Sequence, residues 1–593
     1  MGITTFNKLK LTLPKKKVGE HLLVETRIDI LSAWLKSLPY GNMKVTLPTL
    51  VKSLSSFNRT DVPLSSRQSA MELFNSSYIV IADYYRSKSF KHDKRQSKFS
   101  SEENQLFYQL SKEMAYGFKC VSVQYAEEKG ANETLARILN LTIYYLSLVL
   151  MHHYDVYGPV PKNIWKEIHS ILGFAMIYDL IDIHLENSNK TGCLKNIEQT
   201  YLRITLVAMC NPYHLNRGQH WPLWRYLSYW VKNAELNEDL DDFKSDHTFI
   251  VNLKSDDRPI LQESLSGDIG TENLLLSTQP LIHQIIRQID ELKSTGKPPL
   301  PGFGHEINAT KARKLLEIMM FHWQVFKKRL SPRYQENQRV KVICGIRQIH
   351  KELHNLDPLS LKDDFNEFVP STPSESKHDE IVVNKDIWHS INKSSGGLCL
   401  NIGPKNKTPE VGNIIAINEQ NNDENDRWSL AVIRWLQKSR IEGITIGVEL
   451  ISGELQPVLI KILGIDERHE LGILISGEEI QGKTTPTLIY KNDAIPQDQV
   501  VVMVIGDADL AIKPLRKIIE TLSFERVFYQ TRELSEAYSA VEDEQKAAEE
   551  EQQRRESGEE VIELTSIPGF TQVEKVDDDF SYDIEEPKDD EID

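Results

Sequence analysis

The spacing of apolar residues changes part-way along the chain, and this change constrains the fold more than any other feature. Up to about residue 330, apolar residues recur every three or four positions, as on one face of an α-helix. From "RVKVICGI" onward they alternate with polar residues, as in strands that bury one face. The sequence therefore predicts a mainly helical first half followed by antiparallel β-structure.

The helical half has one apolar run that could suggest a membrane span. "ILNLTIYYLSLVLM" (Ile138–Met151) contains Asn140 and is followed at once by His152 and His153. It is too short to cross a bilayer, so we expect a buried helix. One further segment, "HTFIVNLKSDDRPIL", alternates and predicts a short hairpin near Thr248–Leu261.

The β-half contains two series of short strand candidates separated by turn residues. The first comprises "RVKVICGI", "IWHSIN", "GGLCLNIG", "NIIAIN", "WSLAVIRWLQ" and "ITIGVELI". The second comprises "QPVLIKIL", "HELGILIS", "TPTLIYK" and "VVVMVIG", followed by a predicted helix at "PLRKIIETLSFERVFYQ". Many short strands with close turns indicate barrels. The predicted fold class is multidomain α + β, with a helical N-terminal domain, an antiparallel β-barrel and a second small β-barrel.

Changes in composition divide the chain into four predicted segments. A Pro/Gly-rich boundary, "STGKPPLPGFG", ends a mainly helical domain at 1–305. Residues 306–455 are predicted as a helix plus a β-barrel, with an insertion at 350–380. Residues 456–540 are predicted as a second small β-domain with a terminal helix. Residues 541–593 are predicted as a disordered acidic tail.

Charge and cysteine content limit the classes of partner. The 593-residue chain has a formal net charge of -16, from 70 basic and 86 acidic residues. The segment 541–593 contains 21 Asp or Glu and 5 Lys or Arg, so the rest of the chain is balanced. A balanced body predicts no nucleic-acid polymer as a partner. Five cysteines without a CxxC pair, and no secretory signal, predict a reducing, cytoplasmic location.

The acidic tail should be dispensable for folding. Its composition cannot bury enough apolar surface to offset the entropy of ordering it. Truncation after Ala540 is therefore expected to leave the melting temperature nearly unchanged, as measured by calorimetry. A large drop in melting temperature would show that the tail docks on the body.

Two short polar motifs flank the first strand of the predicted barrel. The upstream motif is "RLSPR", in which two arginines stand four positions apart. The downstream motif is "NKSSGG", directly before an apolar strand. The defining positions of these two motifs are Arg329, Arg333, Asn392, Ser394, Gly396 and Gly397.

These two motifs, in this order, resemble the RxxxR and (D/N)xSxxG motifs of the PilZ domain family. The later strands, "WSLAVIRWLQ" and "GITIGVELI", also resemble strands of PilZ barrels, and the resemblance spans roughly Lys327–Ser452. It implies that Arg329, Arg333, Asn392, Ser394, Gly396 and Gly397 are the ligand-binding residues and that the ligand is cyclic di-GMP. It also implies a long bacterial protein with a helical N-terminal region. Two departures are the insertion between the motifs and the amide of Asn392 where Asp is commoner.

The residue types suit such a ligand. Arginine can form two hydrogen bonds to a phosphate, pair with guanine O6 and N7, or stack on a purine. Asn392 and Ser394 offer short hydrogen bonds, while Gly396 and Gly397 permit close backbone approach or positive φ. Without the pairing, "NKSSGG" is an ordinary turn and the arginines are solvated charges at a helix end. Both motifs together favour nucleotide binding.

Two functions remain open at this point. The first is a cyclic-di-GMP effector, not an enzyme, that relays the messenger to a protein partner in control of motility, pili, adhesion or biofilm. The second is a ligand-free PilZ-like scaffold that acts only through protein contacts. The second strand series has neither motif. We predict no cofactor, no metal site, no membrane span and no catalytic residue, and expect Cys399 to be a core residue.

Overall fold

The structure is a computed structural model. It describes residues 6–16, 26–90, 101–186, 192–238, 248–261, 272–303, 307–324, 332–356, 383–403, 408–419, 427–439, 443–463, 468–477, 479–480, 483–496 and 499–538. Arg329, most of the predicted insertion and the acidic tail lie outside these ranges.

The first 324 residues are mainly helical, as the apolar periodicity predicts. The helices share one apolar core, and its largest fully buried side chains include Trp165, Trp323, Tyr145, Tyr201 and Tyr226. The helices are α1 (Ile28–Ser37), α2 (Met43–Asn58), α3 (Leu64–Phe90), α4 (Ser101–Glu128), α5 (Glu133–Asp155), α6 (Ile164–Ile177), α7 (Ile197–Met209), α8 (His220–Trp230), α9 (Gln279–Thr295) and α10 (Ala309–Trp323).

Helix α5 lies at the centre of this core. By length and hydropathy it could cross a membrane, but 89% of its most apolar window is buried inside the protein. Asn132 caps its N-terminus by accepting a hydrogen bond from the Leu135 amide at 3.0 Å. The buried Asn140 side chain donates to the Leu194 carbonyl at 2.9 Å, so this polar group is satisfied within the protein. The predicted buried helix is confirmed.

A four-stranded antiparallel sheet is inserted between the helices. Its strands are β1 (Glu235–Asn237), β2 (Thr248–Asn252), β3 (Ile260–Leu261) and β4 (Asn273–Ser277), in the order β1-β4-β2-β3. The β2–β3 pairing confirms the predicted hairpin. Sequence reasoning missed β4 because all five of its residues are buried, so its three consecutive leucines show no alternation to detect.

The first barrel has the predicted antiparallel architecture. Its strands are β5 (Tyr334–Gln335), β6 (Arg339–Cys344), β7 (Asp386–Ser394), β8 (Gly397–Ile402), β9 (Ile414–Asn418), β10 (Ser429–Ser439) and β11 (Gly443–Ile451). Six of them close in the order β7-β6-β9-β10-β11-β8, because β8 also pairs with β7, and β5 adds to β7. Inward-facing residues such as Trp388, Leu400, Ile433 and Ile446 fill the interior.

The second barrel is also closed. Its strands are β12 (Glu454–Ile462), β13 (Arg468–Ser476), β16 (Thr487–Lys491), β17 (Val501–Ile505), β18 (Ala508–Glu520) and β19 (Phe524–Arg532). Their order is β12-β13-β16-β19-β18-β17, and β17 returns to β12. A small separate ladder joins β14 (Glu479–Ile480) to β15 (Lys483–Thr484).

The predicted terminal helix at "PLRKIIETLSFERVFYQ" is wrong, because this segment forms most of β18 and β19. Its apolar spacing suits a helix, but short apolar runs are ambiguous between the two periods. Ile518, Ile519, Val527 and Phe528 belong to types that favour strands. Pairing of β18 with β17, and of β19 with β16, completes the barrel and decides the conformation.

Helix α10 belongs to the helical core rather than to the barrel. Leu315, Leu316, Met319 and Trp323 are buried in that core, so the predicted division at residue 305 falls too early. The Pro/Gly-rich segment that suggested the division is a turn within the domain. It is held against α8, since the Trp230 indole N–H donates to the Pro301 carbonyl at 2.9 Å.

A helix that begins before the predicted insertion and extends into it joins the two barrels. Helix α11 (Ile346–Leu356) packs Ile349 and Leu353 into an apolar cluster with residues of both barrels, including Phe524. The His350 Nε2 lies 3.0 Å from the Val458 carbonyl oxygen of β12. Burial lowers the pKa of His350 to about 4, so the ring is neutral near pH 7. Residues 350–356 are therefore structural rather than part of a loose insertion.

Candidate functional site

The pairing of β5 with β7 brings the two polar motifs together. Tyr334 lies opposite Lys393, and Gln335 lies opposite Asn392. The pairing continues where the Glu336 amide donates to the Ile391 carbonyl at 2.9 Å. Arg333, the last residue of the upstream motif, directly precedes β5, so its side chain lies beside the end of β7. The short strand β5 thus brings together two motifs that lie far apart in the sequence.

The downstream motif forms the turn between β7 and β8. Ser394 is paired with Gly397, and its hydroxyl donates to the Gly397 carbonyl at 3.2 Å. Neither Gly396 nor Gly397 has a positive φ. A Cβ at Gly397 would lie 2.3 Å from the Val448 carbonyl oxygen, whereas a Cβ at Gly396 would meet nothing within 4 Å. Close backbone approach explains only the second glycine.

A shallow pocket of about 180 Å³ lies on the outer face of the barrel over these residues. One row of paired residues crosses its floor, running Asn392, Cys399, Gly447 and Trp435 on neighbouring strands. Their strand neighbours Leu398 and Val448 fill the interior, which places the row outside. The pocket is lined by Arg333, Asn392, Ser394, Gly396, Gly397, Leu398, Cys399, Arg434, Trp435, Gly447, Val448 and Glu449.

Trp435 forms one wall of the pocket because Gly447 has no side chain. A Cβ at Gly447 would lie 1.8 Å from the Trp435 indole nitrogen, so the ring occupies that space. The β10–β11 register shifts between Ile433 and Trp435, which is a bulge that redirects the side chains of this part of β10. The half-buried indole offers an aromatic face, a surface on which nucleic-acid bases stack.

Two arginines, Arg333 and Arg434, and one carboxylate, that of Glu449, line the pocket. Arg333 is exposed. The Arg434 Nε donates to Glu449 Oε2 at 2.6 Å, and Lys393 is paired with Glu419. Burial raises the pKa of the Cys399 thiol, although the positive charge of Arg333 opposes this. A buried, protonated thiol acts as a packing group. Cys399 is buried, but it lies in the floor of the pocket rather than in the barrel interior where we expected it.

The structure gathers every predicted site residue that lies within its described ranges. Arg333, Asn392, Ser394, Gly396 and Gly397 all line the pocket, while Arg329 lies outside those ranges. Their roles in binding stay predictions. Sequence reasoning did not single out Arg434, Trp435, Gly447 or Glu449. All four lie in the "VIRW" and "GVEL" segments, which resemble PilZ strands. Because side chains alternate between the two faces of a strand, the sequence could have indicated which of them face outward.

The described ranges contain no group of three or more His, Cys, Asp or Glu side chains close enough to hold a metal ion. The neighbouring His152 and His153 instead contact aromatic side chains. His152 packs edge-on against Trp221, and the His153 Nε2 lies 3.1 Å from the Tyr108 hydroxyl.

A six-stranded antiparallel barrel with this hairpin and this outer-face pocket is a PilZ-type barrel. Two family models match the chain, and together they cover about half of it. The N-terminal domain of the cyclic-di-GMP receptor FimW matches residues 29–241, and the middle PilZ domain of that receptor matches residues 366–457. The chain belongs to the family of PilZ-domain cyclic-di-GMP receptors that these models describe.

One curated relative extends the similarity beyond the two matched domains. The cyclic-di-GMP receptor FimW of Pseudomonas aeruginosa is 22% identical over 512 residues, which is 74% of this chain and 80% of the relative. The match to the middle PilZ domain begins at residue 366, downstream of the "RLSPR" motif and of β6. Arg333 therefore lies outside both matched domains, and the structure brings it to the pocket.

Proposed function

We propose that this protein is a cyclic-di-GMP-binding effector that acts by binding, without a cofactor and without catalysing a reaction. The observation that carries the proposal is the β5–β7 pairing, which places Arg333 over the same pocket as Asn392 and Ser394. The similarity to a protein named as a cyclic-di-GMP receptor supports the same ligand. The second barrel has neither motif, so we place the nucleotide on the first barrel only.

The pocket suits part of a cyclic dinucleotide. Sites that enclose a small ligand usually have about 300–1,000 Å³, so a pocket of about 180 Å³ leaves much of a dinucleotide above the barrel surface. Arg329 precedes Arg333 by four positions and can therefore lie at most about 14 Å away. Two arginines within this reach could cover the exposed part of the ligand and neutralise its two phosphates.

A titration tests this proposal directly. Calorimetry of the purified chain with cyclic di-GMP should show saturable binding, with GTP as a control that has guanine but not the cyclic backbone. Absence of binding to cyclic di-GMP would contradict the proposal and favour the ligand-free scaffold.

We propose that strand β10 relays binding at the pocket to the helical region. Strand β10 contributes Trp435 to the pocket, and three positions later the Lys438 amide donates to the Tyr157 carbonyl at 2.7 Å. Tyr157 follows α5 and packs into the core of the first barrel. Binding at the pocket and docking of the helical region thus share one strand.

The helical region would then present the signal to a protein partner. We propose a bacterial protein that acts in the cytoplasm, which the bacterial source of the relative and the five cysteines without a CxxC pair support. Control of motility, pili, adhesion or biofilm would be its output. A ligand can shift the docking only by its difference in affinity for the two arrangements, typically about 1–3 kcal/mol.

Hydrogen exchange should detect this coupling. Saturation with cyclic di-GMP is expected to slow exchange of the Lys438 amide and of peptides from the end of α5. The reason is that order imposed at Trp435 stabilises the adjoining contact with Tyr157. Exchange mass spectrometry with and without ligand measures the effect, and Ser394→Ala serves as a weakened binder. Protection confined to β7 and β8 would show that β10 does not transmit the signal.

A further inference from the structure

Glu449 stands out because it is the only acidic residue among those that line the pocket in the described chain. It lies on β11, opposite Gly397 of β8, and its side chain is 56% exposed. A carboxylate beside a site for phosphates repels the ligand unless it contacts hydrogen-bond donors. The presence of Glu449 therefore indicates that hydrogen-bond donors of the ligand lie at this position.

Arg434 fixes the position of this carboxylate. Its Nε donates to Glu449 Oε2 at 2.6 Å, a short charge-assisted hydrogen bond. This contact uses one of the five guanidinium N–H groups, and it leaves Glu449 Oε1 able to accept. The pair therefore presents an acceptor and further donors side by side, next to the aromatic face of Trp435.

Among the four bases, only guanine presents two adjacent hydrogen-bond donors on its Watson–Crick edge, and two donors match an acceptor-only carboxylate. Guanine presents two donors, N1–H and the N2 amino group, on its Watson–Crick edge, whereas the N1 of adenine is an acceptor that faces a carboxylate unfavourably. Asn392 cannot make this distinction by itself, since its amide both donates and accepts and can be turned to suit either base. The carboxylate of Glu449 is therefore the group that can distinguish guanine from adenine.

We infer that Glu449 accepts hydrogen bonds from the Watson–Crick edge of one guanine, with Trp435 beneath the base, and so sets the base specificity of the site. This inference rests on the proposed binding of a cyclic dinucleotide. Arg434 acts as a positioning residue that holds the carboxylate in the plane of the base. Glu449 is thus a specificity determinant outside the two polar motifs.

The test compares three cyclic dinucleotides on two proteins. Cyclic di-GMP, cyclic di-IMP, which lacks the N2 amino group, and cyclic di-AMP are titrated into the wild type and Glu449→Gln by calorimetry. A good bidentate contact provides about 1–3 kcal/mol of discrimination, or about 5- to 150-fold. Glu449→Gln is expected to reduce the affinity for cyclic di-GMP by that factor. The affinity for cyclic di-IMP should fall less, and that for cyclic di-AMP should change little.

The matched control is Glu454→Gln, which removes the same charge from an exposed position at the start of β12 outside the pocket. It should leave all three affinities within about twofold of the wild type. If Glu449→Gln instead strengthens all three ligands equally, Glu449 is only a repulsive charge and the inference fails. Equal losses for all three would also overturn it. A wild type that binds none of them would overturn the proposed function itself.

Discussion

Replacement of Arg333 by alanine is expected to weaken cyclic-di-GMP binding by about 10- to 150-fold while leaving the fold intact. The affinity falls because a charge-assisted hydrogen bond to a phosphate or a guanine contributes roughly 1.5–3 kcal/mol. The fold survives because Arg333 is exposed at the rim of the pocket, ahead of the two-residue strand β5. Calorimetry gives the affinity, and the melting temperature reports the fold.

The matched control for this substitution is Arg339→Ala. Arg339 is also exposed and begins β6 of the same barrel, but it does not line the pocket. Arg339→Ala removes the same charge as Arg333→Ala. If Arg333 acted only through general electrostatic attraction, the two variants would therefore lose the same affinity. Equal affinities for Arg333→Ala and the wild type would remove Arg333 from the site. From the sequence motif we expect Arg329→Ala to behave like Arg333→Ala.

Much of the architecture follows from the spacing at which apolar residues recur along the sequence. The helical first half and the barrel strands were predictable because each element repeats its own spacing over many residues. The β18–β19 segment was not predictable, since its short apolar run fits either period and only pairing across the second barrel selects strands. Residue 305 was a misleading boundary for a related reason. A Pro/Gly-rich turn and a linker have the same composition, and only packing separates them.

The candidate site, like the fold, was only partly predictable from the sequence. Motif spacing pointed to Arg333 and to Asn392, and the pairing of β5 with β7 brings them to one pocket. The sequence does not reveal that a row of paired residues extends the floor to Trp435. Register across neighbouring strands is a long-range property, so residues such as Glu449 emerge only once the barrel closes.

Gly397→Ala is expected to damage both the fold and the site, because the added methyl group would clash with backbone. A Cβ at this position would lie 2.3 Å from the Val448 carbonyl oxygen, and a backbone atom cannot rotate away as a side chain can. Strand β8 must therefore move from β11, at a cost of about 1–3 kcal/mol typical of overpacking. Movement of β8 also displaces the β7–β8 turn with Asn392 and Ser394. We expect a lower melting temperature and a loss of cyclic-di-GMP affinity at least as large as that of Arg333→Ala.

The adjacent glycine provides the control for this substitution. A Cβ at Gly396 would meet nothing within 4 Å, and the residue has no positive φ, so Gly396→Ala should change stability by no more than about 0.5 kcal/mol. Thermal unfolding of the two variants measures the difference. Equal melting temperatures for Gly396→Ala and Gly397→Ala would show that β8 and β11 are not in close contact at Val448. A stable Gly397→Ala that also binds normally would mean that the geometry of this turn does not govern the site.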